Sequence, residues 1–263
     1  VTNEVSETNT PAQRRHAAIL TLVRTRGYVS NEELARHFDV TVQTIRRDMN
    51  MLAEQAVLAR HHGGAGLPSS VENIAYTERQ ILNRRDKEAI GRSAAAIIPD
   101  NASLFINIGT TTEAFAQALL NHRMLRVITN NLHVATILSP RPDFKVVVAG
   151  GTVRSHDGGI VGPAATAALA DYRADFGVIG ISGIEDDGSL MDFDSAEIEC
   201  ARAIMNNARR VILLADHTKF SRHPLGRVGN ISAVQDFFTD RAPPPHIAEI
   251  LHRAGVRLHI AGD

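Results

Sequence analysis

One cysteine among 263 residues, Cys200, rules out an internal disulfide and fits a reducing cytosol. No apolar run comes near the roughly 18 residues of a membrane-spanning helix, and no basic-then-apolar leader opens the sequence. A cytoplasmic protein with no membrane attachment is therefore expected. A surplus of either charge is also missing. With 28 Lys and Arg against 29 Asp and Glu, the overall balance does not by itself point to nucleic acid. Twelve histidines are scattered, and the adjacent His61-His62 has no carboxylate or thiolate set beside it. Neither a metal nor any other cofactor is expected. No internal repeat or low-complexity tract is visible.

What is present begins with a helix-turn-helix pattern. In SNEELARHFDV, Ser30 to Val40, the pair Ser30 and Glu33 forms a capping box, each side chain able to satisfy a backbone N–H left open at a helix start. Leu34, Ala35 and Phe38 recur on one face, and Asp39-Val40 interrupts the pattern before Thr41 offers a second N-cap. In the helix that follows, Ile45, Met49 and Leu52 keep core spacing while Gln43, Thr44, Arg46 and Arg47 point elsewhere. Recognition helices present N-terminal residues to the major groove, where Gln and Arg make bidentate contacts with adenine and guanine edges. Gln43 and Arg46 are the candidates for base reading. Thr41, Thr44 and Arg47 complete the DNA-facing set, Thr44 and Arg47 on phosphates. Val57 to Gly66, VLARHHGGAG, joins an apolar run, a basic cluster and a glycine-rich turn, the pattern of a β-hairpin wing. Arg60, His61 and His62 would follow the DNA backbone or enter a minor groove. For any one arginine a solvated helix face is the plainer alternative; two capped helices, a turn and a basic hairpin in one short block favour DNA. Residues 11–66 carry eight basic against five acidic side chains, a net +3. So few phosphate contacts per subunit imply a homo-oligomer, a dimer or tetramer.

Around this 11–66 domain, residues 1–10 read as a mobile tail, 67–85 as a linker and 86–263 as an α/β domain. The stretch from Tyr76 to Ile98 reads as helical and charged until Pro99-Asp100. Apolar runs then predict strands at 104–108, 127–129, 145–149, 176–181, 211–215, 237–239 and 257–260. Amphipathic helices are expected at 112–120, 132–138, 194–207 and 245–254. Strand then helix, repeated, gives a mostly parallel sheet covered on both faces. Ligands of such sheets lie beyond the carboxyl ends of the strands. The first strand ends in Asn107-Ile108-Gly109-Thr110-Thr111-Thr112 and enters a helix, where backbone N–H groups and three hydroxyls would converge on a phosphate. Asn130 and Asn131 follow the second strand, Gly150, Gly151 and Arg154 the third, Gly180 to Gly183 the fourth, Asp216 and Lys219 the fifth. Amides and hydroxyls suit sugar-like oxygens, and Arg154 or Lys219 balances phosphate charge. Together they describe a pocket for a small phosphorylated polyol or sugar. Singly, each has a plainer alternative: a helix cap at Gly109 to Thr112, a turn at Asn130-Asn131, a loop at Gly151, an ion pair for Asp216 and Lys219. Asp194 and Glu197 read equally as an acidic pair at a helix start.

The segments RRHAAIL, GYVSNEELARHFDVTVQTIRRDMNML and ARHHGGAG resemble the DeoR family of bacterial transcriptional regulators. So do LFINIGTTTEAFAQALLNH at 104–122, VITNNLHVA at 127–135, GISGIEDDGSLMDFD at 180–194 and TDRAPPP at 239–245, and the likeness runs from about Arg14 to Leu258. The resemblance implies a winged helix-turn-helix followed by a domain similar to ribose-5-phosphate isomerase and CoA-transferase folds. It also implies a repressor that leaves operator DNA when a sugar or polyol phosphate binds, and the branch most resembled implies glycerol 3-phosphate. The family's Gly-Thr-Thr loop holds phosphate, which implies that role for Gly109 to Thr112, with Asn130, Asn131, Gly151, Gly183 and Lys219 around it. Asn107 stands where many members carry aspartate, so a carboxylate role does not transfer to it; 194–199 and 221–229 also depart from close relatives. No catalytic residue is implied. The alternative from another class is an isomerase-like enzyme with a fused DNA-binding domain. Such isomerases need carboxylates at a strand end for proton transfer, and Ile181-Ser182-Gly183-Ile184 offers none. A domain binding only a protein partner would leave the strand-end residues unexplained.

Overall fold

The computed structural model describes residues 10–26, 28–54, 58–61, 64–66 and 76–262. The chain divides into two compact units, 1–69 and 70–263. The first holds α1 (Pro11–Arg26), β1 (Tyr28–Ser30), α2 (Asn31–Phe38), α3 (Val42–Glu54), β2 (Ala59–His61) and β3 (Gly64–Gly66). Its helix limits follow from the capping chemistry. Ser30 Oγ accepts the Glu33 N–H at 3.1 Å, and Thr41 Oγ1 accepts the Thr44 N–H at 3.2 Å. Between them Asp39 takes a left-handed conformation, φ 50°, while the Val40 N–H donates to the Ala35 carbonyl at 3.0 Å. That closes α2 within one residue and turns the chain into α3. The hairpin β2–β3 is present and gains a third antiparallel strand, β1, in the order β1-β3-β2. Three residues with one apolar side chain, Val29, gave no alternation from which to read β1. Ile19, Leu34, Ile45, Met49 and Leu52 close the core beneath.

The second unit opens with α4 (Tyr76–Ile81) and α5 (Arg84–Ala95). Strand and helix then alternate through β4 (Ser103–Ile106), α6 (Thr110–Ala118), β5 (Arg126–Thr129), α7 (Leu132–Leu138) and β6 (Lys145–Val148). A short pair, β7 (Thr152–Val153) and β8 (Ile160–Val161), leads to α8 (Pro163–Ala170) and β9 (Ala174–Gly180). After β10 (Gly183–Ile184) and β11 (Ser189–Asp192) come α9 (Ser195–Asn207), β12 (Ala208–Leu214) and β13 (Gly226–Asn230). The unit ends with β14 (Asp236–Thr239), α10 (Pro245–Ala254) and β15 (Arg257–Ile260).

Seven parallel strands form the main sheet in the order β15-β14-β12-β9-β4-β5-β6. Each coincides with one of the apolar runs read from the sequence. Leu104, Ile106, Val178 and Ile212 face the core shared with α5, α6 and α7. Phe105, Ile179, Leu213 and Phe237 face the core shared with α8, α9 and α10. Burial on both faces is why these strands lack a polar alternation. The direction of winding reverses between β4 and β9, so the crevice beyond their carboxyl ends is where this sheet offers a ligand site.

Three features differ from the sequence reading. The helical stretch 76–98 is broken at Leu82-Asn83, where Asn83 adopts φ 54°, giving α4 and α5 instead of one helix. Residues 76–85, assigned to the linker, begin the second unit with Tyr76 buried in it; the rest of that linker, 67–75, lies outside the described residues, as do residues 1–9 of the tail. Helix α8 and the antiparallel sheet β10-β11-β13 were not expected. The α8 sequence, PAATAALA, has no polar face to betray a period, and β10 is two residues long.

Candidate functional site

On the first unit, α3 exposes Gln43, Arg46 and Arg47 and turns Ile45, Met49 and Leu52 inward. The helical period of Thr41 to Met49 therefore presents the polar set that the sequence reading assigned to DNA. Thr44 is half-buried, and its hydroxyl lies 3.0 Å from that of Thr41. Those two threonines build the helix start. Arg60 and His61 lie on strand β2 of the wing, and His62 falls outside the described residues. A residue the sequence reading passed over sets the recognition helix in place. Asp48, buried on the inner side of α3, accepts from Arg15 Nε at 2.6 Å and Nη2 at 3.2 Å, and contacts His16 Nε2 at 2.8 Å. Burial alone would raise the Asp48 carboxyl, but Arg15 and His16 hold it below the usual carboxylate range. An acidic residue one turn from Ile45 and Leu52 on the apolar stripe was the available signal.

On the second unit the loop from Asn107 to Gly109 joins β4 to α6 at the winding reversal. Gly109, with φ 148° and ψ 149°, occupies the N-cap position, so no side chain caps the first turn of α6. A Cβ-bearing residue would be strained there. Thr112 hydroxyl faces the carbonyls of Asn107 at 2.8 Å and Gly109 at 2.7 Å, so it shapes the loop from within. Thr110 is half-buried and Thr111 buried at the same helix start. Asn107 and Asn130 follow the paired residues Ile106 and Thr129, side by side at the sheet edge. Both are buried, and the Oδ1 of each has no hydrogen-bond partner. Native folds rarely leave such acceptors unpaired without a reason. Asn131 is fully committed: its Oδ1 caps α7 by accepting from His133 and Val134 N–H, and its Nδ2 donates to Glu113 at 3.2 Å.

Arg154 and Lys219, the two predicted phosphate partners, have opposite surroundings. Arg154 bonds Asp157 at 2.7 Å, Asp194 at 2.7 Å and Glu197 at 2.6 Å. Asp157, Asp194 and Glu197 thus surround one guanidinium in this recess, about 400 Å³ in volume. Burial, then the neighbouring Asp192, push Glu197 up to about 8. Asp194 also caps α9 through the Ala196 N–H at 2.8 Å, which is the helix-start role that its position allowed. Lys219 instead lies among cations. Burial pushes it down to about 7, with Arg222, Lys87 and Arg79 adding to the shift against the pull of Asp216. Lys87 is pushed down to about 8 by the same burial. Burial would raise Asp216, yet Lys219, the Thr218 hydroxyl and Lys87 hold it at about 2. Gly151 and Gly183 serve close packing: an added Cβ would meet the Val161 carbonyl in one case and the Arg222 carbonyl in the other.

The crevice thus gathers Lys87, Lys219 and Arg222 around Asp216, with Arg79 between them and Asp157, and beyond it the cluster of Arg154, Asp192, Asp194 and Glu197. Arg79, Lys87 and Arg222 were not singled out from the sequence. Lys87 had a legible signal, since it shares the stripe of Ile90 and Ala94 where a lysine is out of place. Among the described residues Asp86, His217 and Asp240 form a cluster of possible metal ligands. His217 Nδ1 is already 2.5 Å from Asp240 Oδ2, an ion-pair geometry that needs no ion.

A winged helix-turn-helix followed by an α/β unit with a polar strand-end crevice is the layout of a ligand-responsive transcriptional regulator. The DeoR-like helix-turn-helix domain matches residues 15–71, and the DeoR C terminal sensor domain matches residues 82–241. The glycerol-3-phosphate regulon repressor of Escherichia coli (strain K12) is 49% identical over 94% of this chain and 98% of its own. The HTH-type transcriptional repressor CsqR of the same organism is 44% identical over 97% of each chain. A solved ribose 5-phosphate isomerase A from Methanocaldococcus jannaschii aligns over 52% of this chain and 55% of its own, at 16% identity and a TM-score of 0.39. The chain belongs to the DeoR family. It is a DNA-binding transcriptional repressor, a regulator and not an enzyme. No helix among the described residues is long and apolar enough to cross a membrane.

Proposed function

We propose that this repressor acts in the cytoplasm on a carbon-catabolism operon, and that glycerol 3-phosphate, or a closely related sugar phosphate, releases it from its operator. Residues 11–66 are its DNA-binding domain, with Gln43 and Arg46 reading bases and Arg47, Arg60, His61 and His62 following the phosphates. The effector domain starts at Tyr76. The phosphate sits against the α6 start at Gly109 to Thr111, neutralised by Lys219 and its neighbouring cations. The hydroxyls of the polyol donate to the amide oxygens of Asn107 and Asn130. The observation that carries this reading is the pair of buried, unpartnered Oδ1 atoms at adjacent strand ends beside an uncapped helix start. A phosphate alone would satisfy the helix start and leave those acceptors unpaired. Arg154 holds Asp157, Asp194 and Glu197 together and does not bind the phosphate.

A palindromic operator requires at least two subunits, and +3 per DNA-binding domain is too little charge for tight binding by one copy. We therefore infer a homo-oligomer. Thermal melts with glycerol 3-phosphate, other sugar phosphates and inorganic phosphate test the reading. A ligand at a hundred times its Kd adds about 2.7 kcal/mol of stability. A selective shift with glycerol 3-phosphate, together with release of operator DNA by the same compound, is the expected result. No shift with any phosphate ester would remove the pocket from the mechanism.

A further inference from the structure

Among the described residues nothing pairs with the outer side of β6 or of β15, the two ends of the seven-stranded sheet, and these two edges are built differently. At β15 the sequence RLHI carries Arg257 and His259, whose side chains each meet Asp236 of β14 at 2.9 Å. At β6 it reads KVVV, with Lys145 at the first position and three β-branched apolar residues after it. Sheet edges are ordinarily blunted by charge, proline or a bulge, because a row of open N–H and C=O groups recruits another strand. From Val146 to Val148 none of these devices is present, the register with β5 is unbroken, and Val148 is 42% exposed.

Which groups of β6 are open follows from its pairing with β5. Lys145 and Ala149 donate their N–H groups to the Leu125 and Thr129 carbonyls, both at 2.9 Å. Successive residues of a strand turn their peptide groups to opposite sides, so the N–H and C=O of Val146 and Val148 point away from the sheet. The side chains alternate between its faces: Val146 packs on the core shared with α5, α6 and α7, and Val147 on the core shared with α8, α9 and α10. Two copies of β6, laid antiparallel about a two-fold axis at Val147, complete a ladder. Val146 of each lies opposite Val148 of the other, every such pair exchanging both of its N–H···O bonds, while Val147 faces its own copy. This register alone sets valine against valine at all three positions. It also leaves the two Lys145 side chains about 13 Å apart along the ladder, beyond the roughly 8 Å over which salt lets charges interact.

We propose that β6 is the edge on which a second copy of this chain docks, joining two seven-stranded sheets into one continuous sheet across a two-fold axis. The occupant is a second copy because the edge is complementary to itself in hydrogen-bond register, in side chains and in the spacing of its charge, as a two-fold interface requires. A palindromic operator calls for a protein with the same symmetry. The inference rests on the homo-oligomer inferred above and adds to it the surface that forms it.

The test uses the full chain without DNA, as wild type, Val148→Lys, Val148→Pro, Val147→Cys and Val146→Cys. Analytical ultracentrifugation over a range of concentrations gives the mass, and melting curves verify that each protein folds. Lysine at position 148 charges the exposed edge, and proline there removes an N–H that the single chain does not use. Both should halve the mass of the wild-type assembly. Residues facing each other in a non-hydrogen-bonded pair have Cα atoms about 4.5 Å apart, within reach of a disulfide. Mild oxidation should therefore cross-link Val147→Cys into a dimer on a non-reducing gel. Val146→Cys, whose two copies lie diagonally and too far apart for a disulfide, should not cross-link, and the native Cys200 is buried. If a Val148 variant melts early, the cross-link carries the comparison. A wild type that is monomeric at every concentration overturns the homo-oligomer and this interface together. An oligomer whose mass neither Val148 variant lowers, and which Val147→Cys does not cross-link, overturns the edge alone and leaves the homo-oligomer standing.

Discussion

Effector affinity should depend steeply on pH, because Lys219 titrates in the free protein. Burial and the nearby Arg222, Lys87 and Arg79 place it at about 7, against an ordinary lysine value of 10.5. A phosphate dianion beside it offsets that repulsion, so the complex holds the proton and binding draws one from solvent. The charged form prevails below about pH 7, so the Lys219 contribution is greatest there and is lost as pH rises. About half the Lys219 side chains are protonated at pH 7 and about a tenth at pH 8. The apparent affinity should therefore drop about fivefold between pH 7 and 8 and about tenfold more by pH 9. The second ionisation of the phosphate, near pH 6, works the other way by about twofold between pH 6 and 7. Calorimetry in buffers of different ionisation enthalpy should show uptake of about half a proton at pH 7 and about 0.9 at pH 8. Lys219→Met should abolish this limb and leave a fall beginning near pH 8, where Lys87 titrates. For the unliganded fold the sign reverses. The unfolded chain binds the Lys219 proton between about pH 7 and 10.5, so the sensor unit gains stability as pH rises through that window. A flat affinity from pH 7 to 9 without proton uptake, or a Lys219→Met protein with the wild-type profile, refutes the reasoning.

Arg46→Ala should reduce discrimination between cognate and altered operators by ~1–3 kcal/mol, whereas Arg47→Ala should weaken all DNA about equally and lower the salt slope by about one. Competition binding at several salt concentrations separates the two, and the reverse pattern would exchange their roles. Asp48→Ala removes the acceptor of Arg15 and His16 and should cost the winged unit about 3 kcal/mol, visible as an earlier melting transition with effector affinity unchanged. The same carboxyl is depressed in the fold, so its contribution is present above about pH 4 and lost as pH falls through its folded pKa. Gly91→Val would bring a Cβ within 2.7 Å of the backbone of Ala114 and Phe115. Pushing α6 off α5 in this way should cost ~2–3 kcal/mol and weaken effector binding, because α6 carries the Gly109 loop. A variant that melts and binds like the wild type would show that α6 does not need this close approach.

The division between what the sequence disclosed and what it withheld follows the range of the interactions. Capping at Ser30 and Thr41 acts over three residues, so the turn between α2 and α3 was readable to the residue. The seven parallel strands are buried on both faces, and apolar runs of that kind stand out without any knowledge of their neighbours. Their order in the sheet does not, yet the order decides which strand ends share the crevice at the β4–β9 reversal. Arg154 and Lys219 illustrate the consequence. Each is a basic residue shortly after a strand end, and in the sequence they are equivalent phosphate partners. Folding brings Asp157, Asp194 and Glu197 onto the first, from three and about 40 residues away. It brings Arg79, Lys87 and Arg222 near the second, against the single carboxylate of Asp216. Local pattern gives the sign of a side chain, whereas the sum of charges around it depends on which distant segments the sheet gathers. An anion responds to that sum, so on the proposed reading Lys219 and not Arg154 is the residue whose charge should govern effector affinity.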